Sequence, residues 1–396
     1  MKKTLLFLFI IVLIFSFYFF KSQQDLKKNN LKLYWFIPDV VRAEPDLFNI
    51  YRWAEQGKLP NIKKLMDMGT YGYSKPTFPS HTPVNFATLL TGSYPEIHGI
   101  DDGPMHAIGM PLDKVAVPGF RSTARKVPAI WKTLEGVDMK VSILSVPGST
   151  PPEINKGVVL RGRWGGWGAD FFALNFETKG NLDQRIKQGL GARLFYFGPQ
   201  LTQYVDAKPA SGWTNTSKSY SEALEIELTG WGTPVFGYIY DSTNDNTKNY
   251  DKIAFSLNKK SLFGDIKQGE WTDWQPITLK WKVENKVISV DTDVKATVIK
   301  IGKDGFFRVR LFYNNLNKYI AFPPDSADMV KKEAGPMVDF VDNFPFQLGY
   351  YPEDRITFLQ EANMSFDWHT KAVRALIDQF SPNVVIHDIY TPNQML

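Results

Sequence analysis

The chain has 396 residues, of which 43% are hydrophobic and 22% are charged. This composition describes a folded globular protein and excludes a disordered one, and the length suggests about two domains. The net charge is +5, and the basic residues are scattered without a long basic block, so nucleic-acid binding is not expected. The sequence contains no cysteine, which excludes disulfides, a thiolate nucleophile and cysteine-based zinc sites. Any metal ion must be held by Asp, Glu, His or hydroxyl oxygen.

The N-terminus has the features of a targeting signal. Lys2 and Lys3 form a short basic region, and residues 4–20 are nearly all Leu, Phe and Ile. This run is at the lower limit of the length that spans a bilayer, and bulky residues stand where a signal peptidase needs small ones. We predict an uncleaved signal anchor with a stalk over residues 1–30, and a cleaved signal peptide is the alternative. Both place the chain from about residue 31 onward on the extracytoplasmic side, periplasmic or extracellular.

Strands and helices alternate in the first part of the chain. Residues 31–37 (LKLYWFI) and 140–146 (KVSILSV) are typical of buried strands. Proline near the first turn, glycine past the last turn and apolar periodicity predict helices over residues 46–55, 60–68, 82–91 and 128–135. The pattern returns with a helix over residues 367–380 and a strand over residues 384–390. This alternation predicts an α/β fold, in which helices cover both faces of a mostly parallel sheet.

The middle of the chain has a different character. Strands follow one another without helices over residues 223–228, 235–240, 277–283, 294–301 and 306–313. Such a succession predicts antiparallel pairing, so we expect an inserted β-rich domain over residues 205–325. The α/β core would then comprise residues 31–204 and continue, incomplete, over residues 326–396. A glycine- and tryptophan-rich segment, residues 161–172, is either a loop that lines a cleft or a packed surface loop.

The segment from residue 82 to residue 100, TPVNFATLLTGSYPEIHGI, is the most informative part of the sequence. Thr82 opens a predicted helix, and Pro83 follows it. A hydroxyl at a helix N-terminus lies against unpaired backbone N–H groups and the positive end of the helix dipole. This environment favours both its alkoxide and an anionic phosphoryl group. Thr82 is therefore a candidate nucleophile, and the alternative is an ordinary helix cap that contributes about 1 kcal/mol to stability.

The same segment resembles the nucleophile helix of the alkaline phosphatase superfamily, in its type I phosphodiesterase and nucleotide pyrophosphatase branch. Thr82 lies nine residues before the pair Thr91-Gly92, and Asn85 follows Thr82 by three residues. The string Tyr94-Pro95-Glu96-Ile97-His98-Gly99 then follows at the spacing of that branch. The resemblance implies that Thr82 is the nucleophile and a metal ligand, and that Asn85 helps to bind the substrate. It also implies an alkaline-phosphatase-like core.

Thr77 is the alternative nucleophile. Residues 77–81, TFPSH, also resemble the sequence around the nucleophile of this branch. Thr77 lies 14 residues before Thr91, however, so this assignment requires an insertion in the helix. With Thr82 as the nucleophile, His81 is interpreted as a loop residue and not as a metal ligand.

Asp39 follows the first predicted strand, where the superfamily has an Asp that helps to hold a metal ion. The carboxyl edge of an open α/β sheet is the place where such folds bind ligands. The resemblance implies two divalent metal ions, normally Zn²⁺, with Asp39 and Thr82 among their ligands. It covers residues 31–160 well and residues 365–396 weakly.

The sequence also departs from the branch. Asn393 and Gln394 stand where an Asp ligand is expected, and Gly103 stands where the branch has an Asn that stabilises the phosphoryl oxygens. His387 and Asp388, on the last predicted strand, are either ligands of a rearranged site or a structural pair. The remaining Asp and His ligands would follow the last residue, so we expect the chain to be truncated at its C-terminus.

These features predict an extracytoplasmic, metal-dependent hydrolase of phosphodiester or pyrophosphate esters, which acts on a phosphate-ester small molecule or a nucleotide. The N-terminal segment would be its contact with the membrane. Two alternatives stay open. One is a catalytically inactive, membrane-tethered binding protein on the same fold. The other is a phosphomonoesterase or a sulfatase-like relative, although the nucleophile pattern of sulfatases is absent.

Overall fold

The computed structural model describes residues 32–395 except for several short segments. The segments left out are residues 42–43, 45–46, 107–108, 112–116, 162–172, 181–201, 231, 284–285, 315, 339–347 and 349–350. The predicted signal anchor and nearly all of the glycine- and tryptophan-rich segment therefore lie outside the described residues. Among the residues that are described, no helix combines the length and the apolar composition needed to cross a bilayer.

A five-stranded sheet forms the centre of the α/β core. Its strands are β1 (Leu33–Pro38), β4 (Val141–Leu144), β5 (Gly157–Leu160), β16 (Ala321–Phe322) and β17 (Val384–Ile389). They lie in the order β1, β17, β4, β5, β16, and the pairs are parallel except for β16, which runs antiparallel to β5. The strands predicted at both ends of the chain and the mostly parallel sheet are therefore confirmed.

Helices pack on both faces of this sheet. The α-helices of the described residues are α1 (Ile50–Glu55), α2 (Pro60–Met68), α3 (Thr82–Thr91), α4 (Pro95–His98), α5 (Ile130–Gly136), α6 (Ser326–Ala334) and α7 (Arg355–Phe380), and four of them share buried clusters with the sheet. On one face, Leu144 and Val385 of the sheet belong to a buried cluster with α6 and α7. On the other face, Ile143 and Ile386 belong to a cluster with α3 and α5. This arrangement confirms the α/β fold predicted from the sequence.

Two helices have the limits that the sequence predicts. Helix α2 begins at Pro60, and α3 begins at Thr82 with Pro83 in its first turn. Helix α3 ends because Gly92 adopts a left-handed conformation with φ of 67°, which a residue with a side chain rarely adopts. Helix α7 is longer than predicted, since it begins at Arg355.

Two further sheets form a sandwich. The first has the order β12 (Leu262–Lys267), β11 (Lys252–Ser256), β10 (Pro234–Tyr240), β9 (Leu224–Thr229), β8 (Lys208–Pro209). The second has the order β13 (Gln275–Val283), β14 (Lys286–Ile301), β15 (Phe307–Tyr313), β6 (Leu174–Thr178), β7 (Thr202–Val205). All neighbours are antiparallel except β6 and β7, which confirms the predicted pairing in this part of the chain. A short ribbon of β2 (Pro104–Met105) and β3 (Val117–Pro118) stands apart from the sandwich.

The sandwich has its own hydrophobic core, in which both sheets take part. Phe255 of one sheet and Phe307 of the other are fully buried members of the same cluster. Strand β6 precedes residue 205 and yet belongs to the sandwich, whereas β16 precedes residue 326 and belongs to the α/β sheet. The domain limits proposed from the sequence stay predictions.

Two buried arginines of β15 join the sandwich to α7. Arg308 donates to both carboxylate oxygens of Asp354 at 2.8 and 2.6 Å, and its guanidinium lies 3.6 Å from the ring centroid of Tyr351. Arg310 likewise donates to both carboxylate oxygens of Glu361, and the bond from its Nη2 to Oε2 is 2.9 Å long. These side chains are almost completely buried, so each charge is stabilised by its partner and not by water.

Arg310→Met should lower the free energy of unfolding by about 3–5 kcal/mol, because it leaves the Glu361 carboxylate buried without a counter-charge. The double variant R310M/E361M should recover most of this loss, since it removes both charges together. Denaturant titration followed by circular dichroism measures both values. The matched control is Lys156→Met, which removes an exposed ion pair with Asp138 and should leave the midpoint unchanged. Equal losses in the single and double variants would contradict the role of the pair.

Candidate active site

A cavity of about 780 Å³ lies where the carboxyl end of β1 meets the N-terminus of α3. Asp39, Thr82 and Asn85 all line it, so the structure brings together the three site residues that the sequence singles out. Thr77, the alternative nucleophile, does not line this cavity, although Pro76 and Ser80 on either side of it do.

Thr82 is the first residue of α3 and is half-buried. The helix begins here because the ring of Pro83 is tolerated only in the first turn, where its missing N–H would have no partner in any case. His81 occupies the N-cap position, but its side chain does not cap the helix. Among the described residues, none forms a hydrogen bond with the Thr82 hydroxyl. The hydroxyl at this end of the helix is therefore available to a ligand.

Asn85 fastens the preceding loop to the first turn of α3. Its Oδ1 accepts a hydrogen bond of 2.7 Å from the backbone N–H of Thr77. Its Nδ2 donates to the backbone carbonyls of Thr77 at 3.3 Å and of His81 at 3.0 Å. Both ends of the carboxamide are thus engaged with the loop. The substrate-binding role that the resemblance implies for Asn85 stays a prediction.

Asp39 lies at the sheet edge in a partly dehydrated position. Its backbone N–H donates to the carbonyl of Ile389 in β17 at 3.1 Å, and Asn393 Nδ2 lies 3.4 Å from its Oδ2. Burial raises the pKa of Asp39 from 3.8 to about 6, and hydrogen bonds from Asn393 and from the Val40 N–H oppose this shift. A bound cation would relieve the same penalty, so the carboxylate suits a metal ligand. Asn393, which stands where the branch has an Asp, is the neighbour of this carboxylate.

His98 of the Tyr-Pro-Glu-x-His-Gly string has a structural role. It is completely buried, and its Nδ1 accepts a hydrogen bond of 3.1 Å from the Ile100 N–H. Its Nε2 therefore carries the hydrogen and donates to Thr88 of α3 at 3.0 Å. Burial, with the nearby Arg125 charge, lowers the pKa of His98 and keeps the ring neutral. The string thus holds the end of α4 against the middle of α3.

His387 and Asp388 lie on β17 and are buried, but neither lines the cavity. The two ring nitrogens of His387 contact the Tyr34 hydroxyl at 2.7 Å and His369 Nδ1 at 2.9 Å. These contacts form a hydrogen-bonded chain from the exposed edge strand β1 to α7. This hydrogen-bonded chain gives His387 a structural role.

A divalent metal ion needs several oxygen or nitrogen ligands that lie close together. Asp39 and Thr82 offer a carboxylate and a hydroxyl to one cavity, which suits a single hard or borderline cation. Across the described parts of the chain, no three His, Asp or Glu side chains lie close enough together to hold a metal ion. These residues therefore fit one shared cation and do not by themselves make up a two-metal site.

Two tyrosines of the cavity, Tyr51 and Tyr73, have no signal in the sequence, whereas His81 is interpreted from the sequence as a loop residue. Tyr51, Tyr73 and His81 line the cavity beside Thr82. Tyr51 packs against Tyr73 with ring centroids 5.4 Å apart and donates its hydroxyl to the Gly72 carbonyl. No motif in the sequence relates α1 to the loop before α3. Only the structure shows that residues of both segments line the same cavity.

Comparison with known proteins supports the resemblance drawn from the motif. Residues 43–223 match the sequence model of the family "Type I phosphodiesterase / nucleotide pyrophosphatase". Venom phosphodiesterase 2 of Crotalus adamanteus is 34% identical over 98 residues, which are 23% of this chain and 12% of the venom protein. Ectonucleotide pyrophosphatase/phosphodiesterase family member 3 of Bos taurus is 35% identical over 121 residues, 28% of this chain and 13% of that protein. Ectonucleotide pyrophosphatase/phosphodiesterase family member 1 of Homo sapiens is 32% identical over 114 residues, which are 28% of this chain and 12% of that protein.

The predicted resemblance to the type I phosphodiesterase and nucleotide pyrophosphatase branch is therefore confirmed over residues 43–223. The aligned segments span only about an eighth of the length of these three relatives, 12% or 13%. The family match over residues 43–223 contains Thr77, Thr82 and Asn85, whereas Asp39 precedes it. No solved structure matches the chain.

The partly dehydrated Asp39 carboxyl should make the free energy of unfolding depend on pH. In metal-free protein, the folded state binds the Asp39 proton more strongly than the unfolded chain, so stability should fall as the pH rises from about 4 to about 6. The share due to Asp39 is about 2 kcal/mol after allowance for its partial exposure.

Asp39→Asn should abolish the part of the pH-dependent fall in stability that is due to Asp39. The variant should therefore be more stable than the wild type at pH 7 in EDTA. Urea titrations at pH 4 and pH 7 measure it, with Asp328→Asn on the exposed face of α6 as the control. Parallel pH profiles for the wild type and Asp39→Asn would contradict this account.

Proposed function

We propose that the protein hydrolyses a phosphodiester or pyrophosphate ester of a small molecule or nucleotide, with Thr82 as the nucleophile. The observation that carries the proposal is the single cavity in which the hydroxyl at the start of α3 and the dehydrated Asp39 carboxyl meet. The family match over residues 43–223 supports the reaction class. The activities named for the relatives belong to much longer proteins, so the substrate class is part of this proposal.

The first turn of α3 suits attack on phosphorus. Thr82 Oγ1 would form a bond to phosphorus while the bond to the leaving oxygen breaks, and the hydroxyl proton passes to solvent or to the departing group. Water would then attack the phosphothreonine, which restores the Thr82 hydroxyl and releases the phosphate monoester. The unpaired N–H groups and the positive end of the helix dipole favour the phosphoryl charge in both steps.

The residues around Thr82 keep it in place for this reaction. Asn85 holds the loop before α3, and His98 holds the end of α4 against the same helix. Asp39 and Thr82 are the groups that would hold a divalent cation, which we propose to be Zn²⁺. When bound, the cation would lower the pKa of the hydroxyl and offset the negative charge of the phosphoryl group.

The second candidate function is a binding protein without catalysis on the same fold. One observation favours this candidate. Among the described residues, no three candidate metal ligands lie close together. A phosphomonoesterase on this site is a variant of the first candidate and differs in the ester that it accepts.

Thr82→Ala should lower kcat for bis(p-nitrophenyl) phosphate by a factor on the order of a thousand or more, because the covalent step is lost. Thr77→Ala is the matched control and should retain most of the activity, since Thr77 does not line the cavity. Release of p-nitrophenol gives both rates, and the monoester p-nitrophenyl phosphate tests the phosphomonoesterase variant. Activity that survives in Thr82→Ala and vanishes in Thr77→Ala would transfer the nucleophile to Thr77.

Protein purified from zinc-supplemented medium should contain at least one zinc ion per chain, by elemental analysis. Asp39→Ala should reduce this content, because it removes a carboxylate from the cavity, while Asp328→Ala should leave it unchanged. Chelation should abolish hydrolysis, and added Zn²⁺ should restore it. Protein that takes up no zinc from this medium, and that hydrolyses neither ester even after Zn²⁺ is added, would favour the binding protein.

A further inference from the structure

The hairpin of β13 and β14 extends beyond the sheet to which it belongs. Strand β14 begins at Lys286 and pairs with β13 from there on, whereas its pairing with β15 begins only at Val294. Among the residues that the structure describes, residues 286–293 therefore have β13 on one side and no strand on the other. This part of the hairpin is a two-stranded ribbon, which spans roughly 27 Å at about 3.4 Å per residue.

The base of the ribbon is fixed to the sandwich. Ile277 of β13 is buried in the sandwich core, and Val290 of β14 packs against the same cluster. The Thr278 hydroxyl donates across the two strands to Asp291 at 2.6 Å, and the Thr233 hydroxyl donates to the Thr278 carbonyl at 2.7 Å. The ribbon thus leaves the sandwich from a packed and hydrogen-bonded base.

The outer end of the ribbon exposes two aliphatic side chains. Val287 is 66% exposed and Ile288 is 39% exposed, although Val290, a short distance along the same strand, packs against the core. Val287 and Ile288 are consecutive residues of a strand, so their side chains point to opposite faces of the ribbon. Apolar surface on both faces fits a partner that surrounds the end of the ribbon, and not one that covers a single face.

Lysines flank these aliphatic residues. Over residues 280–288 the sequence has three lysines and a single glutamate, and Lys280 and Lys286 are exposed. Lys286 lies two positions before Ile288 and therefore shares its face of the ribbon. Lys280 is opposite Ser289, which lies on the face of Val287. Each face of the outer end thus combines an exposed aliphatic group with an exposed positive charge.

We propose that the outer end of this ribbon binds the surface of a membrane that contains anionic lipids. The lysines are attracted to the lipid phosphates, while Val287 and Ile288 enter the boundary between headgroups and acyl chains. The contact is shallow, because backbone N–H and C=O groups along the edges of the ribbon would have no partners in hydrocarbon. A protein that packed on one face would leave the aliphatic group of the other face in water. The inference does not depend on the proposed hydrolysis.

The absence of cysteine from the sequence makes a local test possible. The full chain carries Val287→Cys labelled with the environment-sensitive dye NBD, and the vesicles consist of phosphatidylcholine alone or of phosphatidylcholine mixed with phosphatidylglycerol. NBD emission should move to shorter wavelength and increase with the anionic vesicles, and high salt should weaken this change. Lys303→Cys is the matched control, because this exposed residue lies beyond the opposite end of β14, so its label should stay in water. The label reports only its own surroundings, so membrane binding through the N-terminal segment alone would leave its emission unchanged.

Variants in the labelled protein separate the contributions of charge and apolar surface. K280E/K286E should lower the equilibrium constant for this contact about thirtyfold or more, because two attractive charges are reversed. Ile288→Ser should lower it roughly fivefold, because less apolar surface enters the lipid boundary. K300E/K303E makes the same change in net charge at exposed positions near the other end of β14, and it should leave the constant unchanged. Emission at increasing phosphatidylglycerol content gives the constants.

Four results would overturn the inference. The first is a Val287→Cys label whose emission does not change with anionic vesicles, and the second is an equal change with phosphatidylcholine alone. The third is an equal loss in the two double lysine variants, which would attribute the effect to net charge and not to the ribbon. The fourth is an emission change that needs no lipid and grows with protein concentration, which would identify a second copy of this chain as the partner.

Discussion

The structure depends on charges that are buried in pairs at the junction of the sandwich and the α/β core. Arg308 and Arg310 project from β15 and meet carboxylates at the start of α7. Helix α7 then runs along the sheet and leads into β17, which separates β1 from β4. The edge that carries Asp39 is therefore connected, through one helix and one strand, to ion pairs in a distant layer. An isolated buried charge is strongly unfavourable, so these pairs oppose any slippage of α7 along the sandwich.

In the candidate site, a small number of contacts hold one helix, α3, in place. Asn85 binds the loop before α3, His98 binds Thr88 in its middle, and Gly92 ends it with a left-handed turn. These contacts fix the helix relative to the loop before it and to α4. Among the residues that the structure describes, the hydroxyl at its N-terminus has no hydrogen-bond partner. A helix start that is held by several contacts and carries an available hydroxyl suits the binding of an anionic group.

Much of the fold could be predicted from the sequence because local signals coincide with the ends of elements. The limits of α2 and α3 follow from proline in the first turn and from glycine near the last turn. The first half of α7 could not be predicted in this way, because its buried face includes Glu361. That charge is tolerated only through Arg310, which lies 51 residues away in the sequence. A pattern of apolar residues cannot reveal a buried ion pair.

The site was predictable to the extent that it depends on one continuous segment. The spacing around Thr82 and Asn85 identified the helix, and the end of β1 identified Asp39. The contact between His81 and Asp102 joins residues 21 positions apart and depends on the conformation of two loops. The hydrogen bonds of Asn85 with the loop likewise depend on the return of the chain upon itself. Neither arrangement has a periodic signal in the sequence.

The order of strands in the α/β sheet has a consequence for biosynthesis. Strand β17 lies between β1 and β4, and the bond between Tyr34 and His387 joins residues 353 positions apart. At about 5–20 residues per second, the ribosome needs roughly 20–70 s to make the chain between them. During that time β1 and β4 lack their common neighbour, and their apolar surfaces and free edges are exposed to other chains. The nascent protein would therefore be a natural client of chaperones until β17 emerges.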